Sequence, residues 1–227
     1  MLNRYPAFKE KLQTSRLGTI PLVSLPEKLK FASIHILSIS SIIPLKRVEK
    51  ILEVVSNVPN LKIKWTHIGT GSEFQKIKEF ANLKSQQNSN FTFELMGNIT
   101  NTAVRELLAT RYFDLFINLS ETEGIPVSIM EAQSAGIPVL ATNVGGTSEI
   151  VNNENGFLVE KDFNLEEVVS IIQNYLSSTD EEKHQKRNAS YENWKQHYNA
   201  ETNYNEFVKL LTTCTEPGRS TLSAGGR

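Results

Sequence analysis

Two glutamates, Glu123 and Glu131, lie eight positions apart in the stretch Leu115–Val151, which reads LFINLSETEGIPVSIMEAQSAGIPVLATNVGGTSEIV. Glu123 opens the run Gly124-Ile125-Pro126-Val127. Pro126 suits the first turn of a helix, where its missing N–H costs nothing, and Glu131 then falls about a turn and a half inside that helix. The amides of such a helix start favour an anion, and so do those of a second start at Gly145-Gly146-Thr147. Two helix starts could hold a diphosphate between them. Lys46, far upstream, could add a point charge to it. Taken alone, each feature also has a plainer reading: a solvated loop acid and a helix-surface acid, a left-handed turn at Gly145-Gly146, a solvated Lys46-Arg47 pair.

These residues need elements to place them. Ser33–Ser40 (SIHILSIS) is apolar on both faces, as buried parallel strands are. After Pro44, the residues Leu45, Val48, Ile51, Leu52 and Val55 recur at helical spacing. Leu61–Ile68 is a second strand ending at Gly69-Thr70-Gly71, and Phe74, Ile77, Phe80 and Leu83 mark a second helix. Phe91–Leu95 is a third strand, followed by a helix capped by Thr100 or Asn101. Asp114–Leu119 and Val139–Thr142 are the fourth and fifth strands, and Gly156–Val159 is a short sixth. Leu165–Leu176 reads as a helix, another starts at Thr179 or Asp180 and runs toward His197, and Glu201–Leu211 is the last. Strands alternating with helices at this spacing predict an α/β fold: a Rossmann-like, doubly wound, parallel six-stranded sheet over residues 31–177. Residues 1–30 form a lead-in, 178–211 the C-terminal helices, and 212–227 a small, polar tail expected to be disordered. In such sheets a ligand binds beyond the carboxyl ends of the strands, where the loops here are rich in Gly, Ser, Thr, Asn and Glu.

Composition narrows the function. Lys and Arg number 24 against 25 Asp and Glu, a net charge of -1, so no basic field favours nucleic acid or an anionic membrane. The one cysteine, Cys214, can build neither a disulfide framework nor a cysteine-based zinc site, which fits a reducing compartment. His35, His67, His184 and His197 show no metal-ligand spacing; the first two fall within strands and read as core. No Ser-His-Asp or Cys-His constellation is readable. The opening MLNRYPAFKEKLQ lacks the apolar region of a signal peptide, and no run reaches the ~18 apolar residues of a membrane span. The expected setting is cytoplasmic, at most peripheral to the membrane. Gly69-Thr70-Gly71 looks like part of a dinucleotide fingerprint, but Phe74 occupies the third glycine's place, so NAD is not expected.

The joined motifs carry a further implication. Glu-Gly-Ile-Pro-Val-Ser-Ile-Met-Glu at 123–131, Ala-Gln-Ser-Ala-Gly-Ile-Pro-Val at 132–139 and Val-Gly-Gly-Thr-Ser-Glu at 144–149 resemble the retaining glycosyltransferases of the glycogen-synthase-like "glycosyl transferases group 1" family, which have the two-domain GT-B architecture. The resemblance covers residues 31–177. It implies that Glu131 accepts hydrogen bonds from the donor ribose and that Glu123 contacts the transferred sugar. Gly124, Ile125, Pro126 and Val127 would form the loop whose amides approach sugar and phosphate. Lys46 would bind the donor diphosphate, and Leu95, Met96 and Gly97 would line the base pocket. Gly145, Gly146 and Thr147 would lie near the donor.

Two departures from the family pattern stand out. Ser41 occupies the place of an arginine that is the family's second phosphate ligand, so phosphate binding would be weaker, fall to Arg47, or rest on helix N-termini. The other is length: only about 30 residues precede the first strand, whereas family members carry an N-terminal acceptor-binding domain there, whose end Arg16-Leu17-Gly18 resembles. The resemblance therefore implies the donor-binding half of an enzyme that moves a sugar from a nucleotide-diphosphate sugar to a glycan or lipid-linked acceptor with retention, Glu123 and Lys46 serving catalysis. No metal and no cofactor beyond the donor are expected. The alternative is a nucleotide-sugar-binding module, inactive alone, that needs a separate acceptor-binding chain.

Overall fold

The computed structural model describes residues 14–28 and 33–214; the rest of the lead-in, the start of the predicted core at 31–32 and the tail beyond 214 lie outside the described residues. Six parallel strands form one sheet: β1 (Ile34–Ile39), β2 (Ile63–Ile68), β3 (Phe91–Leu95), β4 (Leu115–Asn118), β5 (Val139–Thr142) and β6 (Gly156–Val159), in the order β3-β2-β1-β4-β5-β6. This is the expected doubly wound, Rossmann-like arrangement, and the order reverses between β1 and β4.

Among the described residues, eight α-helices connect and cover the strands: α1 (Val48–Ser56), α2 (Phe74–Gln87), α3 (Asn101–Thr110), α4 (Val127–Ser134), α5 (Thr147–Ile150), α6 (Leu165–Leu176), α7 (Asp180–His197) and α8 (Ala200–Cys214). The strands are buried on both faces, so neighbouring residues feed different layers. Ile36 packs with Ile51, Leu52, Ile77 and Ile172 of α1, α2 and α6, while its neighbour Leu37 packs with Leu108, Ile129, Met130 and Trp194 of α3, α4 and α7. Each fully buried aliphatic side chain contributes on the order of 1.5–3 kcal/mol, and together these two layers fix where the strand ends point.

Local signals set the helix ends. Thr100, rather than Asn101, caps α3 by accepting the Ala103 N–H. Thr179 caps α7 in a reciprocal box with Glu182. Pro44–Lys46 forms a single 3-10 turn instead of the first turn of α1, because Arg47 takes a left-handed conformation, φ 47°, and separates the two. The last helix extends past the predicted Leu211 to Cys214. In this last turn the Thr212 hydroxyl donates to the carbonyls of Lys209, 2.8 Å, and Val208, 3.2 Å.

The described lead-in is tied to the C-terminal helices at Thr19. The Thr19 N–H donates to the Tyr198 carbonyl, 2.9 Å; the Ala200 N–H donates to the Thr19 carbonyl, 3.0 Å; and Trp194 Nε1 donates to Thr19 Oγ1, 2.8 Å. A Cβ at Gly18 would stand 2.5 Å from the Tyr198 carbonyl oxygen, so glycine is required where this strap meets the α7–α8 junction. No helix among the described residues is long and apolar enough to cross a membrane.

Candidate functional site

The site forms at the carboxyl ends of β1 and β4. Its first wall is the loop Ser40–Arg47. Gly69, φ 140°, and Gly71 allow this loop to lie against the β2 turn: a Cβ at Gly69 would be 1.9 Å from the Ser40 carbonyl oxygen, and one at Gly71 2.3 Å from that of Ile42. The Ile42 N–H donates to the Thr70 carbonyl, 2.9 Å. The two glycines that look like half of a dinucleotide fingerprint are thus a packing seam between two loops. His67 braces the same point. Its ring is fully buried, which lowers its pKa to about 4 and keeps it neutral. His67 Nε2 lies 3.1 Å from the Ser40 carbonyl, which can only accept, so Nε2 carries the proton of the neutral ring. His67 Nδ1 then accepts from the Ser38 hydroxyl, 2.8 Å, which itself accepts from Trp65 Nε1, 2.9 Å. His35 is buried as well, against Thr66 Oγ1 at 2.7 Å.

Arg47 closes this wall onto the second one. Its Nε donates to the Leu119 carbonyl, 2.6 Å, Nη2 to that of Ser120, 3.1 Å, and Nη1 to that of Lys161, 2.9 Å, with the guanidinium over the Phe163 ring. Three of its five N–H donors are bound to backbone carbonyls, so the alternative that Arg47 stands in for the arginine missing at Ser41 has only two N–H groups to draw on. Arg47 is a clamp joining the ends of β1, β4 and β6. The sequence offers no signal for this role, since it depends on where three distant carbonyls converge.

Next to the clamp, Lys46 and Glu123 meet. Lys46 Nζ is 2.6 Å from Glu123 Oε1, and Asn118 Nδ2 donates to the same oxygen, 3.1 Å. Burial pushes the Glu123 carboxyl up, but hydrogen bonds from Lys46, Ser120 and Asn118 outweigh it and hold it below the ordinary carboxylate range. The Lys46–Glu123 contact bridges β1 and β4 at the reversal of strand order, the crevice in which such sheets bind ligands. Asn118 and Ser120 are site residues that spacing alone does not single out.

The Gly145-Gly146 turn lies beneath this loop. Gly145, φ 56°, would put a Cβ 1.8 Å from the Glu123 carbonyl oxygen. The Gly146 N–H donates to the Gly124 carbonyl, 2.8 Å, and the Thr147 N–H to that of Val144, 3.1 Å. The second helix start thus has two of its amides committed inside the protein, and Thr147 itself is buried. This corrects the expectation of free amides there: the turn supports the acidic loop from below. Gly124 differs. A Cβ there would meet no described atom within 4 Å, and its φ is not in the left-handed region. Neither packing nor conformation within the described chain demands glycine at 124.

Pro126 precedes α4, which has no side-chain cap. Glu131, the fifth residue of this helix, is 7% exposed. Its Oε1 accepts from Asn101 Nδ2 at 2.6 Å, and burial pushes the carboxyl up, only partly offset by that bond. Glu131 lines a pocket of ≈ 230 Å³ with Asn101, Arg105, Val127 and the strap residues Gly18–Ile20. Leu95, Met96 and Gly97 leave β3 four residues before Asn101 and bond to the end of β2: the Met96 N–H donates to the His67 carbonyl, 2.9 Å, and Gly97, φ 67°, accepts the Gly69 N–H, 2.8 Å. The predicted residues therefore gather into two clusters, Lys46–Glu123 over Gly145-Gly146 and Glu131–Asn101 beside the β3 turn. Among the described residues, no group of three or more His, Cys, Asp or Glu is placed to hold a metal ion.

The family model "Glycosyl transferases group 1" matches residues 26–192. An O-antigen biosynthesis glycosyltransferase of Escherichia coli, WbnH, is 30% identical over 135 residues, 57% of this chain and 36% of that protein. The chain spans about a third of the length of the first curated relatives it matches. In fold it is similar to a mutant of S. aureus TarM solved with fondaparinux, α-GlcNAc-glycerol and UDP, at TM-score 0.65 and 23% identity over 92% of this chain and 42% of that one. It is also similar to Anabaena HepE solved with UDP-glucose, at TM-score 0.66 and 20% identity over 80% of this chain and 49% of that one.

Proposed function

The chain belongs to the glycosyl transferases group 1 family, and we propose that it is the donor-binding half of a retaining glycosyltransferase that takes a nucleotide-diphosphate sugar. The observation that carries this reading is the Lys46–Glu123 pair bridging β1 and β4 at the point where strand order reverses. A diphosphate set there meets the Lys46 ammonium, and the start of α4 lies on the same loop as Glu123. Glu131 accepts from the ribose hydroxyls, with Asn101 fixing its orientation, and Leu95–Gly97 border the base. Glu123 contacts the sugar, and Gly124 leaves room for it.

Departure of the nucleoside diphosphate builds negative charge on the β-phosphate, and Lys46 is placed to stabilise it. No metal is needed where an ammonium and helix amides carry that load, so a chelator should leave donor binding unchanged. The acceptor, a glycan or a lipid-linked glycan, enters from a wall contributed by a separate acceptor-binding domain. A polysaccharide role is supported by the O-antigen relative. The second reading is a nucleotide-sugar-binding module, inactive alone, that needs a separate acceptor-binding chain.

Calorimetry with a panel of nucleotide sugars, UDP-glucose first, separates these ideas. The expected result is donor binding in the micromolar range, weakened about tenfold or more by Glu131→Ala, from loss of hydrogen bonds to a buried carboxylate. Unchanged affinity in Glu131→Ala overturns the ribose assignment. Transfer with retained anomeric configuration, read by NMR, supports the enzyme; binding with no turnover until an acceptor-binding domain is added supports the module.

A further inference from the structure

We propose that Glu123 is an internal competitor of the donor diphosphate for Lys46, so that the site is self-neutralised when empty and expels its diphosphate by re-forming the Lys46–Glu123 pair. The inference rests on the donor reading above and adds to it a role in affinity and release.

Lys46 Nζ and Glu123 Oε1 are 2.6 Å apart, with side chains 24% and 10% exposed, so the pair is sheltered from the screening that makes surface ion pairs negligible. Asn118 Nδ2 donates to the same oxygen at 3.1 Å and holds the carboxylate turned toward the lysine. Arg47, the nearest other cation in the loop, is committed to the carbonyls of Leu119, Ser120 and Lys161. Position 41, in the same loop, is a serine. The β1 loop thus offers one ammonium for an incoming dianion, and that ammonium is already occupied.

Two results follow from the chemistry of one cation shared by two anions. A ligand with a single weak charge gains little over the carboxylate it displaces, whereas a diphosphate brings several acceptor oxygens and outcompetes it. When the sugar has left, the carboxylate stands ready on the same loop to retake Lys46, which lowers affinity for the spent nucleoside diphosphate. Gly145 and Gly146 fix the backbone of Glu123 and Gly124 from below, so the exchange is a side-chain movement over a rigid floor.

The test uses inorganic pyrophosphate, which carries the shared chemistry without a base or a sugar. Its affinity is measured by calorimetry on the full chain and on Glu123→Gln, Asn118→Ala, Lys46→Met and the double variant Lys46→Met with Glu123→Gln, each checked for a cooperative thermal transition. Removing a carboxylate that competes should tighten pyrophosphate binding about tenfold in Glu123→Gln, the weight of one sheltered charge pair. Asn118→Ala, which only loosens the carboxylate, should tighten it about twofold. The Glu123→Gln gain should vanish on the Lys46→Met background. If Glu123→Gln binds pyrophosphate no tighter than the parent while Lys46→Met abolishes binding, the competition is wrong and the diphosphate site survives. If Lys46→Met has no effect on pyrophosphate, both the competition and the diphosphate reading fall.

Discussion

Glu123 and Glu131 are the same side chain on one short stretch of chain, yet their surroundings move them in opposite directions. Glu123 sits on a loop among Lys46, Ser120 and Asn118, whose hydrogen bonds overcome burial and keep its carboxyl below the ordinary range. Glu131 sits on α4, 7% exposed, with Asn101 as its amide donor, and burial keeps its carboxyl above that range. The loop acid is a paired charge; the helix acid is a buried acceptor awaiting partners. The same division runs through the glycines. Gly145 lies under Glu123 in a conformation and at a distance that admit no side chain, while Gly124, one residue beyond Glu123, borders open space. One region is built to be rigid, and the other to leave room.

Gly145→Ala should break the rigid region and give the largest effect. The added Cβ would fall 1.8 Å from the Glu123 carbonyl oxygen, and φ 56° is strained for alanine. A cost of ~3 kcal/mol or more is expected, a fall in Tm of about 10 °C by calorimetry. A Tm within about 2 °C of the parent would show that the two loops are not in contact in solution. Gly124→Ala sharpens the contrast. Its Cβ meets no described atom, so Tm should stay within about 2 °C, while a methyl set where the donor passes should weaken nucleotide-sugar binding by about tenfold. Equal loss of stability in both variants would erase the distinction between floor and cleft.

The fold was legible because buried parallel strands leave a simple trace. The apolar runs at Ser33–Ser40 and Asp114–Leu119, and the helical spacing of Val48, Ile51, Leu52 and Val55, are local patterns whose packing follows from periodicity. Glu123, Glu131 and Lys46 were legible because they fall on loops and a helix start at strand ends. The clamp by Arg47 was not, since its three carbonyls come from positions 119, 120 and 161, and nothing in the sequence says that they converge. Asn118 and Asn101 stayed hidden for the same reason. The first reads as a strand end and the second as a helix cap; their amides are assigned to the two carboxylates only by tertiary contact. The committed amide of Gly146 shows the converse: a turn that locally looks open is closed by another loop, through the Gly124 carbonyl.

The smallest expected effect is the one that separates the two acids by pH. Glu123 has its folded carboxyl below the unfolded value, so the stability it contributes is present above the ordinary carboxylate pKa and is lost as pH falls through the folded one. Glu131 has its folded carboxyl above the unfolded value. The folded state then holds more protons in that window, and stability falls as pH rises through it. Thermal transitions recorded from about pH 3 to about pH 7 for the parent, Glu123→Gln and Glu131→Gln, on either side of the ordinary Glu pKa, expose the two slopes. Glu123→Gln should flatten the acid limb, below the ordinary Glu pKa, and leave the limb above it intact. Glu131→Gln should do the reverse and raise Tm slightly at neutral pH, because an amide in that pocket carries no buried charge. If both variants flatten the same limb, the two carboxylates share one environment, and the separation into a paired loop acid and a buried helix acid fails.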